Sequence, residues 1–350
     1  MSNQSPIRTV DFPEDAVTTL EMVASVAQVS PSTVSRFLNG TAKVSDAKRL
    51  AIEAAIKKLN FVSNPIASGL AGGKTRSIGV ITQVLGSPYY GQAMVGVEDV
   101  LIEANYAPLF VSSHWKKDIE MRCINFLEGR RVDGIIILTA CLADEVLIKR
   151  SIRTPIVVTS RNLSSDRLFS LNFDNFTGAK MATEHLIELG HTRIAFIKGV
   201  SSHPDAIQRF KGYRAALKEH GIPFDSRLAV QGHFLETGGE NATQQLLHAG
   251  VYFTAIFAAN DQMAYGAALA LYNRGLRVPD DISLVGFDDL LTSSITLPPL
   301  TTVSLGEIGK IAAQTMTQLI GIKMPAPTIP SPRLIIRKST QHLSASRVSG

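Results

Sequence analysis

From Ser77 onward, short runs of consecutive apolar residues alternate with longer stretches in which apolar positions recur every three or four residues. The short runs fall at Ile78–Thr82, Leu109–Val111, Gly134–Leu138, Ile156–Val158, Ile194–Ile197, Ala255–Ala258 and Ile282–Phe287. A strand that is apolar on both faces must be covered on both faces, so the pattern predicts parallel strands flanked by helices, a doubly wound α/β fold. The stretch from Asp174 to Gly190 shows the helical grammar. Asp174 is a cap, Ala179, Met181, Ala182, Leu186 and Ile187 form an inner stripe, and Gly190 is a stop. So many α/β units exceed one compact sheet, which predicts two lobes with a cleft between facing carboxyl ends of their strands.

The first 76 residues follow a different pattern, purely helical and short. Thr18-Thr19-Leu20-Glu21 offers a capping box, with Glu21 reaching back, before Leu20, Val23, Ala24 and Ala27. A second helix is capped by Ser30, starts at Pro31 and stops at Asn39-Gly40. It turns Val34, Phe37 and Leu38 inward, and Pro31, Ser32, Ser35 and Arg36 outward. A third, capped by Ser45, closes a small core through Leu50, Ile52, Ile56 and Leu59. Two short helices joined by a tight bend have helix-turn-helix geometry, which lays the second helix in a major groove. There Arg36 can fork onto a guanine, and the Ser and Thr hydroxyls can reach phosphates or bases. Asn64-Pro65 opens a last short helix that carries Gly69 and runs into Gly72-Gly73. It is marginal in isolation, as expected of a hinge that folds on DNA, with Leu70 as a minor-groove wedge.

Composition sharpens this picture. Apolar residues make up 45% of the chain and charged residues 19%, enough to build real cores. The net charge is +5, and Val17 to Arg76 alone carries eight basic residues against three acidic ones. A basic balance concentrated in the helical segment suits a polyanion such as DNA. The only two cysteines, Cys123 and Cys141, lack metal-ligand spacing and are read as reduced. Met1–Asp15 does not read as a secretory leader, and no run reaches the length of a membrane span, so a cytoplasmic location is expected. Enzyme and cofactor motifs are missing. There is no Gly-x-Ser-x-Gly and no His-Glu-x-x-His, and His185 and His191 are read as structural. Ser68–Thr75 fails as a P-loop because its first glycine position is Ser68 and it precedes a strand.

The helical segment resembles the lactose/galactose repressor family. The matching residues are Thr19-Leu20, Val23-Ala24, Val29-Ser30, Thr33-Val34-Ser35-Arg36, Leu38-Asn39, Val44-Ser45, Leu59-Asn60-Phe61, Asn64 and Leu70-Ala71. The resemblance implies that Pro31, Ser32 and Arg36 set the operator sequence. It also implies that Thr19, Ser30, Thr33, Ser35, Asn39, Asn64 and Ala67 support the DNA contact, and that Leu70 is the hinge wedge. The remainder is similar to the periplasmic-binding-protein-like core of the same family. It carries Ser87-Pro88-Tyr89-Tyr90, Arg131-Val132-Asp133-Gly134, Arg209-Phe210-Lys211-Gly212-Tyr213, Ala259-Asn260-Asp261-Gln262, Gly286-Phe287-Asp288-Asp289 and Pro298-Pro299-Leu300-Thr301-Thr302.

On that basis the expected organisation is a tail (1–16), a DNA-binding domain (17–63), a hinge (64–75), a core (76–340) and a second tail (341–350). Within the core, an N-lobe of 76–161 and 291–330 and a C-lobe of 162–290 and 331–340 place the crossings near Arg161, Leu290 and Pro330. A neutral polyol calls for planar donors, carboxylate and amide acceptors, and aromatic faces. Arg209 and Asp288 stand at the family's effector positions, and Phe234 stands where an aromatic stacks on the ligand. Asn260 and His203 belong to the same lobe, and Tyr89, Tyr90, His114 and Trp115 follow strands of the other. Two departures alter the hydroxyl pattern: Val84 where relatives often have a polar residue, and Ser160 where many have aspartate. The resemblance implies a repressor that binds a palindromic operator as a homodimer or tetramer under control of a sugar or sugar-derived effector. Both inducer and corepressor signs stay open. A transport-type binding protein of the same core fold would instead carry a leader and no helical headpiece.

Overall fold

The computed structural model describes residues 18–38, 43–62 and 74–343. Asn39, the hinge helix with Asn64, Ala67 and Leu70, and the Ser68–Gly73 run lie outside the described residues. The chain divides into two compact units, one ending at Arg76 and one beginning at Ser77.

In the first unit, helices α1 (Leu20–Val26), α2 (Pro31–Leu38) and α3 (Asp46–Lys58) enclose a core of Val23, Ala24, Ala27, Val34, Ile52 and Ala55. The α1 capping box differs from the expected one. The Thr19 hydroxyl accepts from Met22 N–H at 3.3 Å, and the reciprocal acceptor is the Met22 sulfur, 3.5 Å from Thr19 N. Glu21 sits one position too early to reach back. Leu50 also departs from expectation, being 59% exposed. Two residues before Ile52, it lies roughly 200° around the helix from it, whereas Ala55, Ile56 and Leu59 share Ile52's face.

The second unit contains two parallel sheets of the same winding. The first, in spatial order β2-β1-β3-β4-β6-β5, is built from β1 (Ser77–Thr82), β2 (Ala107–Ser112), β3 (Gly134–Ile137), β4 (Ile156–Thr159), β5 (Ser164–Ser165) and β6 (Leu168–Leu171), with only β5 antiparallel. The second, in order β10-β9-β7-β8, is built from β7 (Ile194–Lys198), β8 (Ala229–Gln231), β9 (Ala255–Ala258) and β10 (Ser283–Val285), all parallel. The central strands β3, β4 and β9 are buried at every position, as the continuous apolar runs require. In each sheet the first two strands and the third wind in opposite directions, which creates a switch point beside β1 in one lobe and beside β7 in the other.

Helices α4 (Pro88–Glu103), α5 (Lys117–Gly129), α6 (Asp144–Ser151) and α11 (Ile308–Leu319) cover the first sheet. Helices α7 (Asn175–Glu188), α8 (Pro204–Glu219), α9 (Glu236–His248) and α10 (Asp261–Asn273) belong to the second lobe. As anticipated, Asp174 caps α7 by accepting from Thr177 N–H at 2.9 Å, and Gly190 takes a φ of +91° just past its end. Among the described residues, no helix is long and apolar enough to cross a membrane.

Two crossings lie later than expected. β6 pairs with β4 through Leu171, so the chain leaves the first sheet after Leu171 and not near Arg161. Nor does it leave the second lobe at Leu290. Leu290 N–H and Ser293 Oγ bind the Asp261 carboxylate, Thr301 bridges Val285, and β11 (Thr302–Ser304) packs on α7. The return to the first lobe comes only before α11. The chain comes back through β12 (Arg333–Ile335), which pairs antiparallel with β11. The expected tail also starts too early, because Gln341 N–H binds Ser283 Oγ and Leu343 N–H binds Leu189 O at 2.8 Å.

Candidate functional sites: an exposed recognition helix and an interlobe cavity

In the first unit, α2 is anchored by buried Val34 and half-buried Phe37 and Leu38. Its outer face presents Pro31, Ser32 and Arg36 to solvent. Ser30 Oγ accepts from Thr33 N–H at 3.3 Å and lies within hydrogen-bond reach of the Ser32 and Thr33 hydroxyls. The start of α2 is thus an ordered hydroxyl cluster beside a long cationic side chain. Such a helix end can meet phosphate through its hydroxyls and amides and a base edge through the guanidinium.

In the second unit a cavity of about 420 Å³ lies between the carboxyl ends of the two sheets. Tyr89, Tyr90, Trp115, His203, Arg209, Phe234, Asn260 and Asp288 all line it, so the eight effector candidates converge on one space. His114, one residue before Trp115, does not line it.

Arg209 is the most constrained of these. Its guanidinium meets Asp288 at 2.9 Å, donates through Nε to Asn175 Oδ1 at 2.8 Å and through Nη1 to Ala259 O at 2.5 Å, and lies 3.8 Å from the Phe287 ring centroid. Close packing of α7 on α8 makes the Asn175 contact possible. At Gly212 a Cβ would fall 2.3 Å from Phe176 O, so only glycine lets the two helices approach. Burial pushes the Asp288 carboxyl up to about 6 against the opposing pull of Arg209. Burial likewise raises both tyrosine hydroxyls, keeping them neutral donors.

An aromatic wall runs across the cleft. The Trp115 and His203 ring centroids are 5.3 Å apart and edge-on, and His203 and Phe234 are 5.4 Å apart and edge-on. His203 Nδ1 accepts from Asp205 N–H at 3.1 Å, which leaves the ring proton on Nε2, and burial lowers the imidazole's proton affinity. Phe234 rests directly on Gly199, where a Cβ would lie 2.2 Å from its ring. Asn260 acts at one remove. Its Oδ1 caps α10 by accepting from Met263 N–H, and its Nδ2 donates to Phe234 O at 3.1 Å, so it positions Phe234.

Several participants escaped the sequence. Asp205 accepts from Ser160 Oγ at 2.7 Å, and Ser87 Oγ donates to Gln262 Oε1 at 3.1 Å; both bonds join one lobe to the other across the cleft. Gln83, fully buried after β1, accepts from Ser113 Oγ and Trp115 N–H and donates to Thr139 O. Buried Glu120 accepts from the amides of Cys141 and Leu142. Together these two polar groups fix the loops after β1, β2 and β3. Trp115, Thr139, Ser160, Phe234 and Asp288 all have positive φ between 60° and 107°. Non-glycine residues held there are strained, and such strain gathers at binding sites. The cysteines are thiols, and burial raises that of Cys141 to about 11.

Comparison with known proteins connects the two sites. Residues 19–64 match the family model described as "Bacterial regulatory proteins, lacI family", and residues 75–343 match "Periplasmic binding proteins and sugar binding domain of LacI family". The HTH-type transcriptional regulator GalR of Escherichia coli (strain K12) is 35% identical over 336 residues, covering 94% of this chain and 98% of that protein. Among solved structures, the Lac repressor dimer bound to operator and the anti-inducer ONPF superposes with a TM-score of 0.80 at 31% identity, covering 93% of this chain and 100% of that one. A complex of the transcriptional regulator CelR with cellobiose gives a TM-score of 0.66 at 30% identity, covering 92% and 99%.

Proposed function

Because the chain belongs to the LacI family of DNA-binding transcriptional regulators, we propose that it is a repressor whose grip on operator DNA is set by a small sugar in the interlobe cavity. The observation that carries this reading is the convergence of eight side chains from two lobes on one cavity at both switch points, where doubly wound folds take ligands.

Pro31, Ser32 and Arg36 face the bases, while Ser30, Thr33, Ser35 and the α1 cap Thr19 steady the headpiece on the backbone. Asn39, Asn64, Ala67 and Leu70 complete the contact by resemblance to the family. In the cavity, Arg209 and Asp288 act as one fixed donor and acceptor pair for sugar hydroxyls. Trp115, Phe234 and the two tyrosines cover the C–H faces of the sugar. The lobes are tied directly through Ser160–Asp205 and Ser87–Gln262, so an occupant touching both walls changes the balance between open and closed arrangements.

The chain works as a homodimer on a palindromic site in the cytoplasm. Supporting the dimer, Leu269, Tyr272, Leu291, Ile295 and Leu297 are exposed on α10 and the segment that follows β10. The Tyr265 and Ser293 hydroxyls, 2.7 Å apart, set these two segments side by side, and exposed apolar side chains on adjoining segments mark interaction surfaces. The reading assigns the chain no catalysis.

The test is a gel-shift titration of the full-length protein on its own promoter fragment, with and without candidate sugars. A specific shift that a sugar weakens or strengthens is expected. Absence of any sequence-specific shift would sink the reading.

A further inference from the structure

The geometry points to an uncharged sugar as the occupant of the interlobe cavity, to the exclusion of phosphorylated and carboxylated sugars. This rests on the effector reading of that cavity and concerns the charge of what fills it.

Three carboxylates line the cavity, those of Asp205, Glu236 and Asp288, against a single guanidinium, that of Arg209, and two imidazoles, those of His203 and the solvent-exposed His233. Among the described residues no lysine and no second arginine lines it. The one cation is already committed, since Asp288 neutralises it and Asn175 and Ala259 take two more of its directions. His203 adds no positive charge, because its Nδ1 serves as an acceptor for a backbone amide. An incoming anion would therefore meet two uncompensated carboxylates and displace none of them.

Helix N-termini offer the usual alternative for binding an anion, and four of them point at this cleft. Two carry a cavity-lining carboxylate of their own in the first turn, Asp205 on α8 and Glu236 on α9. Asn260 and His203 side chains accept from first-turn amides of α10 and α8. The fourth, α4, begins at Pro88, which has no N–H to give. Two of the four ends are thus capped from within the chain, α9 carries a carboxylate beside its first amides, and α4 keeps only the amides of Tyr89 and Tyr90. What remains suits a neutral polyol: carboxylate acceptors for hydroxyl protons, buried tyrosine hydroxyls, and the Trp115 and Phe234 rings for C–H surface.

Trp115 is the sole tryptophan and lines the cavity, so its fluorescence reports occupancy directly. The full-length protein is titrated with glucose, galactose, ribose and cellobiose. Each is matched to an anionic partner: the phosphate esters of glucose and ribose, galacturonate, and cellobionate. The expected result is that a neutral sugar changes Trp115 emission and raises Tm, while its anionic partner binds at least about tenfold more weakly, ~1.4 kcal/mol. In an Asp205→Asn, Glu236→Gln double variant that gap narrows. An anionic member that binds as tightly as its neutral partner, or tighter, overturns the inference. So does a gap that the double variant leaves untouched. If such an anion also alters the promoter gel shift, the effector reading stands and only the charge assignment fails. If no sugar of either charge moves Trp115 emission or Tm, the sugar assignment itself is overturned.

Discussion

The Arg209 guanidinium lies 2.9 Å from the Asp288 carboxylate, and each side chain is about 5% exposed or less. A buried ion pair of this kind is costly to break from one side. Removing Arg209 alone strands a carboxylate in the interior, at about 3–5 kcal/mol, whereas replacing both partners by apolar residues of similar volume is often neutral. Arg209→Ala is therefore expected to lower the urea midpoint of the core sharply, and Arg209→Met with Asp288→Leu to recover most of it. Neither variant should keep a sugar response. Retention of that response by the double variant would show the pair to be structural only.

Asp261 gives the core a distinctive pH dependence. Burial raises its carboxyl to about 7, and raises Asp288 to about 6, both above the ordinary value of 3.8. The folded state then holds protons that the unfolded state has released. Stability contributed by these groups is greatest below pH 4 and falls as the pH rises through 6 and 7. Buried His185, His191 and His203 are shifted downward and act in the opposite sense, losing stability as the pH falls below 6.5. Comparing wild type with Asp261→Asn cancels the histidines. Urea unfolding at pH 5 and pH 7.5 should show wild type losing ground to the variant at the higher pH, by up to about 1.4 kcal/mol per pH unit. A difference independent of pH would contradict the burial argument.

Gly199 is the floor under Phe234. A methyl group there would sit 2.2 Å from the ring and push it into the cavity. Gly199→Ala should cost about 1–3 kcal/mol in stability and abolish the Trp115 response to sugar. A normal response would mean that Phe234 can yield without closing the site.

Arg36 is exposed at the end of α2, with no part in the headpiece core. Arg36→Ala is expected to leave Tm unchanged and to weaken specific operator binding by about 1–3 kcal/mol, with little effect on random DNA. Equal losses on specific and random DNA, measured by fluorescence anisotropy, would reassign Arg36 to phosphate contact.

Tyr272 and Leu297 are 78% and 95% exposed. Replacing each by aspartate should shift sedimentation from dimer to monomer and weaken binding to a palindromic fragment. A wild-type sedimentation profile would place the dimer contact elsewhere.

Seven strands of the two sheets were legible as runs of consecutive apolar residues, a pattern few other structures produce. β8 was not, having three residues and one buried position, and neither were β5 and β6, since Ser164-Ser165 and Leu168-Phe169-Ser170-Leu171 are too short and polar to announce pairing. Missing them displaced the first crossing. The second was misplaced because Leu290 to Ser304 is held to its lobe by polar contacts with Asp261 and by backbone, which carry no hydrophobic period. The cavity's walls were legible as motif residues at strand ends. Its supports were not: Gln83 and Glu120 are single polar residues on otherwise apolar segments, and only the fold shows that they tie three loops together. Asn260 shows the same limit, since no sequence feature separates an amide that touches a ligand from one that holds Phe234.

The proposed control runs from the interlobe cavity to DNA affinity. The direct measurement is the Kd of the full-length protein for its own promoter fragment, read by anisotropy with and without a sugar that saturates the Trp115 signal. A change of at least about tenfold is expected in wild type, ~1.4 kcal/mol, and none in the Arg209→Met, Asp288→Leu double variant, whose sugar-free affinity stays near wild type. A sugar that saturates Trp115 while leaving promoter affinity unchanged would contradict it.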